Sequence, residues 1–389
     1  MVSEPIHDAI ELAKKWLLES GIQNSAENRS RYGSFNAWYD AGIEEHAFAY
    51  SEITGYGITL LLFLNKIQPD PILVQRAVVA GNWLIDRATE KQTGGVLCRL
   101  ESRQDTFVQR LCAFDNGMCL NGLVNLFKTT GDTRYLNAGM AIADWLISMQ
   151  KPDGAFYPRY FVDIQQLEHA GNKWSKQPGS YHAKLAIGLL NLADVTQNNQ
   201  YALTAGKICD WAVSKQLSDG RFVTDPQKDN SFLHPVCYTL EGLLVAGQML
   251  RKEQYLKAAQ TGLEWIWNHR KEDGGFPAYY TAGKRELAES PDINAQISRL
   301  YLLLNARERV RHDEKEVDAS IGHLLRYQCL RDDYRALGGF VSGEAWFLDE
   351  YPNGIPDHVN AWVTMFVLQT LLLRNNPSVL DADAVFYLI

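Results

Sequence analysis

Two kinds of apolar pattern alternate along the chain. The first is a one-sided stripe at helical spacing that runs up to a tryptophan, as in Tyr135, Leu136, Ala138, Ala141, Ile142 and Trp145. The second is apolar on nearly every side, over 59–64, 119–127, 185–192, 240–250, 297–304 and 363–373. A one-sided stripe predicts a helix on the surface, and an all-round apolar helix predicts one buried on every side. After each tryptophan comes a glycine-rich turn, which ends the first helix. A loop rich in aromatic and polar residues then leads to the buried helix.

The punctuation repeats. Trp145 is followed by Gln150, Asp153, Gly154 and Phe156, and Trp211 by Gln216, Asp219, Gly220 and Phe222. Trp265 is followed at the same offsets by Asp273, Gly274 and Phe276. Trp83 leads to Gly94-Gly95, Gln328 leads to Gly338-Gly339-Phe340, and Trp16 marks a degenerate first copy. A period of roughly 60 residues is the size of a helical hairpin with its loops. Six outer and six inner helices in alternation predict an all-α chain, residues 1–389 as a single domain closed into an (α/α)6 toroid, with an open solenoid as the alternative.

The long loops all follow outer helices and precede inner ones, so they gather at one end. Long loops carry function more often than short ones. The inner helices aim their N-termini at the same end, where unpaired amides favour anionic groups. The residues expected there are Ser51-Glu52-Ile53-Thr54-Gly55-Tyr56, Phe114-Asp115-Asn116-Gly117, Ser180-Tyr181-His182, His234-Pro235, Asp292-Ile293-Asn294 and Asp357-His358-Val359-Asn360-Ala361-Trp362. Ser51, Asp115, Ser180, Asp292 and Asp357 are also good helix caps, so each could serve structure alone. A ring of acids, imidazoles and aromatics above apolar helices is nevertheless how a sugar site is built.

Composition narrows the choices. A net charge of −8 without a basic stripe predicts no nucleic-acid partner. Six scattered cysteines with no C-x-x-C pair suggest neither a disulfide framework nor a zinc ribbon, and point to a reducing compartment. No signal-peptide pattern and no run of about 18 apolar residues is present, so a cytoplasmic chain without a membrane span is expected. Oligomeric state has no sequence signal.

Four segments carry a resemblance. Tyr50-Ser51-Glu52-Ile53-Thr54-Gly55-Tyr56 resembles the "PEVTGY" segment of polysaccharide-biosynthesis proteins built from six helical hairpins. Phe114-Asp115-Asn116-Gly117 resembles their "FDTGQ", and 234–243 their "THTIAYTLRGLL". Glu350-Tyr351-Pro352-Asn353 resembles the closing "YPNW", although Gly354 stands in place of its Trp and Asn116 in place of a Thr. These proteins are often described as squalene-cyclase-like or prenyltransferase-like. The toroid is similar to that of unsaturated glucuronyl hydrolases, sugar 2-epimerases and uronyl C5-epimerases. In the first of these an Asp at the start of an inner helix is the acid/base, a place comparable to that of Asp115.

The resemblance implies the fold and a glycan context more than any one reaction, and the ring of acids and aromatics points to a hydrolase, lyase or epimerase on an oligo- or polysaccharide, uronate-containing sugars included. Asp115 and Glu52 are then the acid/base pair and His234 a second proton-transfer group or an oxyanion partner. Trp38, Tyr56, Asn116, Tyr181, His182, Tyr238, Asp292, Asn294, His358 and Trp362 would bind or stack on the sugar. The competing readings are an isoprenoid enzyme and a non-catalytic glycan-binding protein. The first lacks a D-x-D-D or D-D-x-x-D acid motif; Asp381-Ala382-Asp383 lies too near the C-terminus. His234 and Cys237 could be two zinc ligands but have no Asp-x-Cys partner, so no metal is expected. No phosphate loop or dinucleotide fingerprint occurs, so no cofactor is expected.

Overall fold

The computed structural model describes residues 4–171, 173–225, 228–281, 284–285, 288–311, 313–343, 357–379 and 382–389. The closing segment 350–354 and Asp381 lie outside the described residues. Within them the outer helices are α1 (Glu4–Glu19), α3 (Pro71–Trp83), α5 (Thr133–Ser148), α7 (Asn199–Val213), α9 (Glu253–Trp267) and α11 (Glu314–Leu325). The inner helices are α2 (Ser51–Ile67), α4 (Ala113–Thr130), α6 (Leu185–Thr196), α8 (Leu233–Met249), α10 (Pro291–Asn305) and α12 (Ala361–Asn375). Inner helices pack in sequence, and α12 meets both α1 and α2, so the ring is a closed (α/α)6 toroid. No described helix is long and apolar enough to cross a membrane.

The repeated residues are the fastener of the outer ring. The amide of Gln150 donates to Gly154 O at 3.1 Å in its own turn and to Thr204 O at 3.0 Å on the next outer helix, α7. Gln216 does the same to Gly220 O and Ala258 O, and Gln23 to Gly33 O and Arg76 O. Gln328 donates at 3.0 Å to both Gly338 O and Ala9 O, which joins the last unit to the first helix. In each pair one carbonyl belongs to the glycine turn and the other to the body of the next outer helix, so a single amide ties the two together. The glycine is needed because the turn presses onto that next helix. At Gly338, φ is +93° and a Cβ would stand 2.3 Å from Leu12 O.

The loops fold further than expected. Short antiparallel strands line the mouth end, such as Arg110–Cys112 paired with Arg159–Phe161. The sixth inner helix starts later than expected, because His358–Asn360 is a strand paired with Trp38–Asp40. Asn360 is its cap, with Oδ1 accepting from Val363 N at 3.3 Å. None of the other inner helices has a side-chain cap, so Ser51, Asp115, Ser180, Asp292 and Asp357 are not caps. At the opposite end, residues 382–389 fill the bore. Asn121 and Asn125 donate to Phe386 O at 2.8 and 2.9 Å, and Gln369 donates to Tyr387 O at 2.6 Å.

Gly338→Ala is expected to lower stability by about 2 kcal/mol or more, since the new methyl meets backbone in a left-handed turn. Gly322→Ala, in the exposed interior of α11 with open space around it, should instead gain about 0.5–1 kcal/mol. Denaturant titration of both variants checks this, and equal effects would contradict the role given to the turn.

Candidate active site

The mouth of the bore holds a cavity of about 210 Å³. Two close helix approaches build its acidic wall. A Cβ on Gly55 would lie 2.7 Å from the carbonyl carbon of Met118, so α2 and α4 run nearly in backbone contact. Three residues earlier on each helix stand Glu52 and Asp115, both lining the cavity. Cys119 Sγ, 3.2 Å from Ser51 O, supports the same approach.

Burial dominates the chemistry of both carboxyls. It pushes Glu52 up to about 8, with the nearby charge of Asp115 adding to the rise. Bonds from the Tyr50 and Tyr56 hydroxyls, and the Lys184 charge, work against it. Asp115 is raised by burial to about 6 and held from going higher by Arg110 and Arg159. Asp115 Oδ2 is buried without a hydrogen-bond partner. Like charges sharing a dry site cannot both ionise easily, so near neutrality this pair divides into one acid and one carboxylate.

His234 Nδ1 lies 2.7 Å from Asp292 Oδ2, and Ser290 Oγ donates to the other oxygen of Asp292. This contact orients the imidazole and leaves the opposite ring edge, with Nε2, on the far side from Asp292. Trp174, Tyr181, Tyr238 and Trp362 supply aromatic faces around the same cavity.

Other expected residues sit elsewhere. Asn116 is spent on backbone, accepting from Val96 N at 2.6 Å and donating to Val96 O and Cys112 O, so it is not available to a sugar. Asn294 plays the same part, with Phe276 N donating to it at 2.9 Å. Asp292 serves His234 rather than a hydroxyl of a ligand. His182 is fully buried against Tyr181, with ring centroids 4.0 Å apart, and burial pushes it down to about 3. Trp38 stacks on His358 at 4.8 Å and meets Trp362 edge-on at 6.5 Å, one layer behind the cavity wall. His358 is held by Asp40 at 3.2 Å. Tyr56 lies beneath the floor, its hydroxyl 3.2 Å from that of Tyr238.

Sequence reasoning missed the two arginines. Arg110 and Arg159 come from the paired strands and line the cavity beside Asp115. Arg159 Nε is 3.6 Å from Glu168 Oε2. Arg110 is within 3.5 Å of Cys98 Sγ, and its Nε is buried without a partner. The signal available was an arginine two residues before Cys112 at the strand-to-helix junction, in the "RLCAFD" stretch.

Among the described residues, His234 and Cys237 belong to no cluster of three or more candidate metal ligands. One cluster with metal-ligand spacing, Asp273, Glu289 and His323, occurs among the described residues, away from the cavity lining. Lys271, Tyr327 and Arg326 already occupy its carboxylates.

The fold matches solved structures over almost its whole length. Cellobiose 2-epimerase from Bacillus thermoamylovorans B4167 superposes with a TM-score of 0.75 at 12% identity, covering 94% of this chain and 98% of that one. Unsaturated glucuronyl hydrolase from Bacillus sp. GL1, responsible for glycosaminoglycan degradation, gives 0.70 at 14% identity, covering 96% and 97%. D-mannose isomerase gives 0.71 at 12% identity, covering 95% and 97%. At such identities the likeness is one of fold. No protein-family model matches the chain. No curated protein matches it in sequence.

Both carboxyls bind their protons more tightly in the folded chain than in the unfolded one. Their contribution to stability is therefore full below the ordinary values of 3.8 and 4.5, and drains away as pH rises through about 6 for Asp115 and about 8 for Glu52. Denaturant unfolding across pH 4 to 9 should show this decline, on the order of the span between those values, and Glu52→Gln should flatten its upper part. An unchanged slope in Glu52→Gln would show that Glu52 ionises as freely as in water.

Proposed function

We propose that this chain is a carbohydrate-active enzyme, acting as one domain, in which Asp115 and Glu52 form a proton-transfer pair on an acidic oligosaccharide. The observation that carries the reading is the burial of two carboxyls, Asp115 and Glu52, in the wall of one cavity on helices in near backbone contact, with burial raising both and Glu52 the further. At neutral pH Asp115 is a carboxylate able to take a proton from water, and Glu52 is an acid able to protonate a leaving oxygen. That is the division of labour glycoside hydrolysis requires. Hydrolysis is accordingly the reaction favoured over elimination or epimerisation. His234, oriented by Asp292, assists at the sugar hydroxyls, and the aromatic walls stack on its ring.

The arginines select the sugar. A buried guanidinium whose Nε lacks a partner is costly unless a ligand completes it. Arg110 and Arg159 together suit a carboxylate on the ring, which makes a uronate the preferred residue. Two guanidinium cations in the wall speak against a carbocation cavity, and so against an isoprenoid substrate. The six buried free thiols fit a reducing compartment.

A screen of uronate-containing oligosaccharides, read for reducing ends, new ultraviolet absorbance and solvent deuterium uptake, separates hydrolase, lyase and epimerase. The kcat/KM profile should be bell-shaped with limbs near 6 and 8. Asp115→Asn should cost about 10²- to 10⁴-fold in kcat while the protein stays folded. Arg110→Gln should raise KM for the uronate substrate far more than for a neutral analogue. Sugar binding without turnover in the wild type would support a non-catalytic glycan-binding protein instead.

A further inference from the structure

Beneath the pocket floor lies a group of charges that proton transfer does not touch directly. Lys184, at the end of the 3-10 turn Ser180–Lys184, has a fully buried side chain whose Nζ lies 2.7 Å from Glu241 Oε2. Glu241, on α8, also binds Arg299 of α10 through its other oxygen. Arg299 in turn donates to Gln369 Oε1 at 2.7 Å and to Ile389 O at 2.6 Å. All three charged side chains have no solvent exposure.

Stability alone is a poor reason for this arrangement. A buried ion group is often no more stable than apolar residues of the same shape. Two cations meet one anion in this group, and burial together with the Arg299 charge pushes the Lys184 ammonium down to about 8. The group also reaches the aromatic pocket floor. The Lys184 ammonium sits 4.3 Å from the ring centroid of Tyr238, 5.3 Å from that of Tyr56 and 5.4 Å from that of Phe366. Tyr56 and Tyr238 are joined through their hydroxyls, and Tyr56 also bonds Glu52, one helical turn above it on α2.

We propose that the Lys184–Glu241–Arg299 triad keeps Glu52 able to give up its proton, and that Lys184 is the positioning residue through which the triad acts. An acid that holds its proton too tightly donates poorly, whatever its geometry. Burial and Asp115 both drive Glu52 in that direction, and Lys184 opposes them. The groups facing Glu52 are Tyr50 and Tyr56 beside it in sequence, Asp115 on α4, Lys184 before α6, and Tyr238 on α8. Lys184 is the cation whose charge acts on Glu52, and Glu241 and Arg299 act on Glu52 through it.

The proposal rests on the acid–base reading for what Glu52 is used for, but its test needs no substrate. The protonated carboxyl of Glu52 is followed by infrared titration of the whole resting protein, with its band assigned by its loss in Glu52→Gln. Lys184→Met should move the midpoint upward by about one pH unit or more, a tenfold gain in proton affinity. Lys184→Arg should restore the wild-type midpoint. Should Lys184→Met fail to fold, Lys184→Gln, which can keep a hydrogen bond to Glu241, is expected to show the same upward shift. Variants that fold with reduced stability but titrate as the wild type would overturn the proposal, as would failure of all three to fold. A sugar screen without turnover, together with a shifted midpoint, would remove the enzymatic reading and leave this inference standing.

Discussion

Four of the six seams of the closed ring, the one joining its ends included, are held by one repeated interaction, a glutamine amide bonded to two carbonyls at once. One carbonyl belongs to the glutamine's own glycine turn and the other to the next outer helix. The amide offers two N–H groups, but a single nitrogen reaching both oxygens fixes the distance between neighbouring hairpins within a few tenths of an ångström. Because Gln328 makes the contact to Ala9, the rule that spaces the units also ends the series. An open solenoid would leave Ala9 O and the surface of α1 without this partner. Trp16 adds a second tie across the seam, donating from Nε1 to Arg335 O at 2.8 Å.

Closure determines where the chemistry can be. With the outer ring fixed, the inner helices converge, and Gly55 and Gly122 let α2 and α4 approach to backbone contact. The N-terminal turns of α2 and α4 are then forced side by side, and the acids they carry share one dry volume. A carboxylate at a helix N-terminus is normally stabilised by the dipole. Here desolvation is the larger effect, as the raised positions of both Glu52 and Asp115 show. Arg110 and Arg159, which hold Asp115 down and do not act on Glu52, set the base apart from the acid.

The repeat, the helix pairs and the acidic wall were legible in sequence because each leaves a periodic or local mark. Trp145, Gln150, Gly154 and their counterparts recur because the same fastener is built again and again. Glu52, Asp115 and His234 stood out as polar residues at the start of apolar helices. Capping proved the wrong alternative for Asp115, since the helix begins two residues earlier, at Ala113. What stayed hidden depends on partners distant in sequence. Asn116 and Asn294 look like ligands for a sugar until the backbone groups of Val96 and Phe276 are seen in front of them. Asp292 looked like a hydroxyl binder because nothing local places it 2.7 Å from His234. Arg110 and Arg159 were overlooked because two- and three-residue strands are too short to show an alternating pattern. Lys184 lay inside a buried stretch that reads as core.

The same geometry limits how a glycan can be presented. Residues 382–389 fill the lower bore, tied by Asn121, Asn125, Arg299 and Gln369. The cavity is therefore a blind recess and not a tunnel. A volume of about 210 Å³ is below the usual range for a drug-sized ligand and suits one sugar ring. A recess of that depth takes the end of a chain, whereas the middle would have to enter and leave through the same mouth. If the chain hydrolyses a uronate as proposed, reaction at a terminal residue follows from the floor as much as from the walls, since the recess would hold the ring carboxylate, the scissile oxygen and the two acids in one water-poor space.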